Sequence, residues 1–353
     1  MGKIEVLGKW NLQTSDWTTQ ITEQQRGRSS SLGVYEDIIN NPNEGINYII
    51  IALGSRVEDH SKDYFTIKEK EISINKILSY FSKQNKNIAI RTFLMDADAP
   101  IKEDAKLIAK YIDALANHEK TSTINLIGVS KCGTMSFYVP KYFSSPNSYK
   151  KTNIYTIASP FTGTKMASPK IFYPEVRTLI SKITGDTKLT EQIYRKLISI
   201  YEGISSNSHM DYDIAIPGGV TEDKLEIYDE TFIRDIFSQD NISAIERLNS
   251  YQNFITGIDK NTLSEAILTG NTTGIGLCVM DKLFFDEQSD GLVPTGQQHK
   301  VEEVLESNNF KTHKLESTHH DVIGSNRPLH EVLWSVNDTI EEQEDHKIYV
   351  KSS

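Results

Sequence analysis

The sequence predicts an α/β architecture, a mostly parallel central sheet flanked by helices, with a helical cap inserted over one edge. Three observations lead there. Short β-branched runs alternate with apolar patterns at helical spacing through the first half of the chain. One of those runs, Ile124–Val129, ends in the turn Gly128-Val129-Ser130-Lys131-Cys132-Gly133 and leads straight into a further apolar segment. From about residue 165 to 270 the alternation stops and helical spacing dominates.

The elements follow in order. Residues 1–45 are polar, with Trp10 and Trp17 as large anchors, and read as an N-terminal arm or an edge hairpin. After Asn43-Glu44-Gly45, the continuous run Ile46–Leu53 reads as a strand covered on both faces. Ile74, Ile77, Leu78 and Phe81 recur at helical spacing. Asn87–Met95 is the second regular strand, and Pro100 marks the start of a helix carried by Ala105, Ile108, Ala109, Ile112 and Leu115. Ile124–Val129 and Asn153–Ala158 are the third and fourth strands.

Three helical patterns fill the expected cap: Val176 to Ile183, Leu189 to Ile200, and Phe232 to Phe237. Strand character returns at Thr273–Met280 and weakly at Phe310–Leu315. A final helix follows Pro328, with Leu329, Val332, Leu333, Val336 and Ile340 on one face. The expected division is an arm over 1–45, a core over 46–164 and 271–340, a cap or lid over 165–270, and a charged, frayed tail over 341–353.

Composition narrows the function. The 353 residues carry a formal charge of −10 and no basic stripe, which argues against nucleic acid as the main partner. The two cysteines, Cys132 and Cys278, are too few for a disulfide framework or a structural zinc site, and no metal or cofactor is expected. No apolar run approaches the roughly 20 residues that span a bilayer. MGKIEVLGKW lacks a signal-peptide core, and Val6 breaks the myristoylation pattern after Gly2. The expected location is cytoplasmic.

Ser130 is the first candidate for covalent chemistry. A serine leaving a strand and entering a helix, between small residues at minus two and plus two, has the layout of a nucleophile elbow. Gly128 and Cys132 must be small enough for two backbones to pass, and Cys132 reads as a packed small residue. A serine hydroxyl needs a base, usually histidine, which a carboxylate orients. The chain supplies both later, as Asp290 in SDGLVP and the pair His319-His320 in STHHDVIG. Asp281 and Asp286 rival Asp290 but lack the turn and apolar segment behind it. His319 and His320 compete as the base, and Asp321 reads as a local hydrogen-bonding group.

In that chain order, Ser130 in GVSKC, Asp290 in SDGLVP and His319 in HHDVIG resemble the α/β-hydrolase superfamily, in its lipase and esterase branch. The segment Ala158-Ser159-Pro160-Phe161-Thr162-Gly163-Thr164 resembles the post-strand segment of such lipases. Three features depart from the pattern. Cys132 replaces the second glycine of the elbow, Pro140 falls early in the following helix, and Leu53-Gly54-Ser55 replaces the usual His-Gly of the first oxyanion loop.

The resemblance implies a serine hydrolase that cleaves a carboxylic ester through a Ser130–His319–Asp290 triad and an acyl-enzyme. Backbone N–H groups of Lys131 and Ser55 form the implied oxyanion hole. Arg56 is a candidate contact for an anionic substrate group, against its plainer reading as a solvated arginine. The expected partner is a small-molecule ester or lipid, with transient membrane-surface contact through the cap. The same triad serves a thioesterase, amidase or acyltransferase, and an inactive binding protein of the same fold is the reading from another class.

Overall fold

The computed structural model describes residues 3–11, 16–19, 31–37, 45–55, 80–81, 87–96, 101–163, 181–182, 185, 187–188, 191, 230–268, 272–285, 287–305, 308–319 and 326–352. Their strands are β1 (Lys3–Asn11), β2 (Asp16–Thr19), β3 (Ser31–Asp37), β4 (Ile46–Ser55), β5 (Ile88–Asp96), β6 (Thr121–Val129), β7 (Thr152–Ile157), β8 (Ser250–Gly257) and β9 (Phe310–Glu316). They form one sheet in the order β2-β1-β3-β5-β4-β6-β7-β8-β9.

The six strands from β5 to β9 in that order run parallel. On the other side of β5, β3 joins antiparallel, β1 pairs parallel with β3, and β2 closes a hairpin against β1. The mostly parallel sheet that the sequence predicts is therefore present.

Nine helices accompany the sheet among the described residues: α1 (Ile101–Ala116), α2 (Lys131–Tyr138), α3 (Pro146–Lys151), α4 (Glu230–Ile236), α5 (Gln239–Glu246), α6 (Lys260–Leu268), α7 (Thr272–Phe284), α8 (Thr295–Gln298) and α9 (Asn326–Ser352). Strand β4 shows why its unbroken apolar run is needed. Tyr48, Ile50 and Ala52 pack on one face with Ile108 and Ile112 of α1 and Met135 of α2. Ile49 and Ile51 pack on the other with Val332, Leu333, Val336 and Ile340 of α9. The period of two along the strand feeds two separate cores, and each such side chain contributes about 1.5–3 kcal/mol when fully buried.

Three expectations are corrected. Thr273–Met280 is not a strand; it lies within α7, with Leu277, Cys278 and Met280 buried. A short run that is apolar throughout carries no period, so it cannot separate a buried strand from a buried helix. The strand that follows β7 in the sheet is β8, inside the span read as cap. Its sequence, SYQNFITG, carries Gln252, Asn253 and Thr256, and these polar groups masked it. All three are buried and hydrogen-bonded.

The cap boundary moves for the same reason. Ile236, Ile242 and Ile245 of α4 and α5 belong to the core cluster that includes Phe137. Most of 164–229, with two of the three expected cap helices, lies outside the described residues. So does most of the Ile74–Phe81 pattern.

The third correction concerns the tail. Residues 341–352 continue α9, because this stretch has no glycine or proline to end a helix. Pro328 is tolerated in the first turn of α9, where its missing N–H is not needed.

Candidate active site

Strand β6 ends at Val129, and Ser130 is the residue before α2, with φ 57° and ψ −129°. A non-glycine residue in this region carries backbone strain of order 1–3 kcal/mol, so the surroundings must hold it there. Ser130 N–H donates to Ile157 O at 2.8 Å, and Ser130 O accepts from Gly133 N at 2.8 Å. A β-carbon on Gly128 would collide with Cys132 O and Ser136 Oγ, and one on Gly133 would collide with Ser159 Oγ. The close approach therefore falls on Gly128 and Gly133. Cys132 is fully buried in the core, in the packing role its size suggests.

Proline ends the helix as expected. α2 stops at Tyr138, and Val139–Tyr142 continues as a tighter 3-10 turn containing Pro140. Ala158, the residue after β7, also has positive φ, at 53°. Two neighbouring strand ends thus share the same backbone strain.

The acid loop is built differently. Asp290 is fully buried. Its Oδ1 accepts from Leu292 N at 3.0 Å and Val293 N at 2.8 Å. Its Oδ2 accepts from Thr256 Oγ1 at 2.6 Å and from Gln298 Nε2 at 3.5 Å. Gly291 has φ 94°, and a β-carbon there would strike the backbone of Leu277 in α7. Asp281 of α7, one rival of Asp290, accepts instead from Ser289 N and Ser289 Oγ, both at 2.8 Å. It holds the acid loop from outside. Asp286, the other rival, lies outside the described residues.

His319 follows β9, and its Nδ1 is 2.8 Å from Asp290 Oδ2. A second tie runs from His319 N–H to Asp290 O at 2.9 Å. The carboxylate is an acceptor, so Nδ1 carries the proton and Nε2 presents a lone pair. The imidazole side chain is 12% exposed while the carboxylate behind it is sealed from water.

The structure thus joins Asp290 to His319 and sets Ser130 on the same carboxyl edge of the sheet. Ser55, at the end of β4, and Lys131, the first residue of α2, belong to that edge too. Arg56, His320 and Asp321 lie outside the described residues. Among the described residues no group of three or more His, Cys, Asp and Glu side chains converges as a metal site. Among the described residues no helix is long and apolar enough to cross a membrane.

Sequence reasoning missed Thr256, Gln298 and the supporting role of Asp281. The available signal for Thr256 was the β-branched and aromatic content of Tyr251 to Thr256 ahead of Gly257.

No protein-family model matches the chain, and no curated protein matches it. Solved structures similar to it include a mature lipase from Bacillus licheniformis, 12% identical, with TM-score 0.44 over 87% of this chain and 99% of that one. A lipase-esterase related protein from Clostridium acetobutylicum is 12% identical, with TM-score 0.39 over 87% and 99%. A gene product from Listeria innocua is 8% identical, with TM-score 0.45 over 83% and 93%. The chain's own sheet, six adjacent strands of which run parallel, gives it an α/β architecture with a strained serine where β6 passes into α2.

Proposed function

We propose that the chain is a serine hydrolase that cleaves a carboxylic ester. The reading is carried by the buried Asp290 holding His319 through Nδ1, on the sheet edge where Ser130 sits in the strained turn. Ser130 Oγ attacks the ester carbonyl, and His319 Nε2 takes its proton. The imidazolium gives that proton to the leaving alcohol, and the Asp290 carboxylate stabilises it meanwhile. Water then attacks the acyl-enzyme by the same route and returns Ser130 to its starting state.

The developing oxyanion is held by the N–H groups of Lys131 and Ser55. Lys131 stands at the positive end of α2, where a helix favours negative charge. Each such donor lowers the barrier by about 3 kcal/mol. The apolar helical patterns from residue 165 onward favour a hydrophobic acyl group over a very small one.

The test is covalent labelling with a fluorophosphonate. The unmodified chain should label and Ser130→Ala should not, with circular dichroism unchanged. An unmodified chain that stays unlabelled would overturn the nucleophile. A p-nitrophenyl ester series of rising chain length, run beside acyl-thioesters, tests the substrate class. Turnover of thioesters alone would remove the ester assignment and leave the triad.

A further inference from the structure

We infer that Thr256 is a positioning residue, whose hydroxyl fixes the carboxylate oxygen of Asp290 that holds the His319 imidazole. The inference deepens the function proposed above and rests on its reading of Asp290 and His319.

Thr256 is fully buried near the carboxyl end of β8. Its single hydroxyl proton has two acceptors within reach, Asp290 Oδ2 at 2.6 Å and Gln298 Oε1 at 3.2 Å. The shorter and charge-assisted bond goes to the carboxylate. Oδ2 then receives the hydroxyl and the imidazole N–H, while Oδ1 receives two backbone N–H groups. With donors on both oxygens, the carboxylate has no second rotamer of equal quality.

The hydroxyl is itself held. Pairing of β7 with β8 ends at Ile157 opposite Phe254, and Ala158 N still donates to Phe254 O. Thr256 is the next residue of β8 that faces the β7 side, beyond the end of β7. Gln298 takes that place: its Oε1 accepts from Thr256 N at 2.8 Å and its Nε2 donates to Thr256 O at 3.0 Å. The same Nε2 lies 3.2 Å from Val293 O, in the acid loop. One amide side chain thus locks the strand that carries the hydroxyl to the loop that carries the carboxylate.

Thr256→Ser and Thr256→Ala both lack the methyl group and differ from each other only by the hydroxyl, so the pair isolates it. The first readout is the downfield proton resonance of His319 Nδ1–H, assigned by its absence in His319→Gln. It should be sharp in the unmodified chain and in T256S, and lost to water exchange in T256A. The second is the rate of fluorophosphonate labelling, expected to fall about tenfold from T256S to T256A, as the loss of one charge-assisted hydrogen bond to the carboxylate implies.

If T256A does not fold, Thr256→Val keeps the side-chain volume and is read the same way. An alanine or valine variant that retains the resonance of the unmodified chain would overturn the role of Thr256. An unmodified chain that shows the resonance but does not label would overturn the nucleophile instead, and the resonance would still judge Thr256.

Discussion

Ser130 stands on a turn fixed by backbone sterics, where Gly128 and Gly133 admit no β-carbon, whereas Asp290 and His319 stand on loops fixed by side-chain hydrogen bonds. The serine end stores strain in a positive φ and is held by main-chain bonds to Ile157 and Gly133. The acid end stores no comparable strain at Asp290 and instead buries a charge among Thr256, Gln298 and two backbone donors. The two ends should therefore fail differently. Adding an atom damages the first through the fold, and removing a polar partner damages the second through the chemistry.

The largest expected effect lies at the acid. Asp290→Asn keeps the shape but trades an acceptor oxygen for an amide donor, which faces either two backbone N–H groups or the Thr256 hydroxyl and the imidazole. His319 then loses the tautomer that presents a lone pair at Nε2. Turnover of a p-nitrophenyl ester should fall on the order of 10⁴-fold, measured as kcat. A fall below tenfold would mean that the carboxylate does not orient the base.

Next comes Gly128→Ala, which should cost about 3 kcal/mol in a denaturant titration because its β-carbon meets the Cys132 backbone. Gly133→Ala should cost less, about 1–2 kcal/mol, since the colliding atom is the Ser159 hydroxyl and a side chain can yield. Ser159→Ala added to Gly133→Ala should recover part of that loss, and purely additive costs would show that the contact is not the cause.

This contrast explains what the sequence made legible. The serine turn is written within a few residues of itself: an apolar strand, two glycines, a serine and a helix. Turn chemistry and chain order point to Asp290 and to the pair His319-His320, and the lipase-like spacing to Asp321 selects His319. The groups that hold them were not legible, because Thr256 and Gln298 are 42 residues apart and meet only when β8 is in the sheet. The same strand was hidden by its polar content, since Gln252, Asn253 and Thr256 face partners that no local pattern supplies. Apolar α7 reads as a strand for the opposite reason, because a run that is apolar throughout has no period to declare its geometry.

The smallest effect probes the sheet beneath the acid end. His313 of β9 stacks on Phe254 of β8 at 4.4 Å, and its Nε2 lies 2.8 Å from Gln252 Oε1. Gln252 Nε2 donates to Thr339 Oγ1 of α9, so Oε1 is the acceptor and His313 donates. Burial lowers the His313 titration below its ordinary 6.5, and Lys311 adds to this while Glu331 opposes it. The folded chain therefore favours the neutral ring more than the unfolded chain does. The stability this contributes is complete above pH 6.5 and is lost as the pH falls through that value toward the lower folded one. Amide protection factors in β8 and β9, corrected for the pH dependence of intrinsic exchange, should fall on acidification from neutral, while β6, which leads to the serine, keeps its protection. His313→Gln should remove the pH dependence of that difference. An equal fall in the protection factors of β6 and β9 would place the acid sensitivity elsewhere and erase the contrast between the two ends at this level.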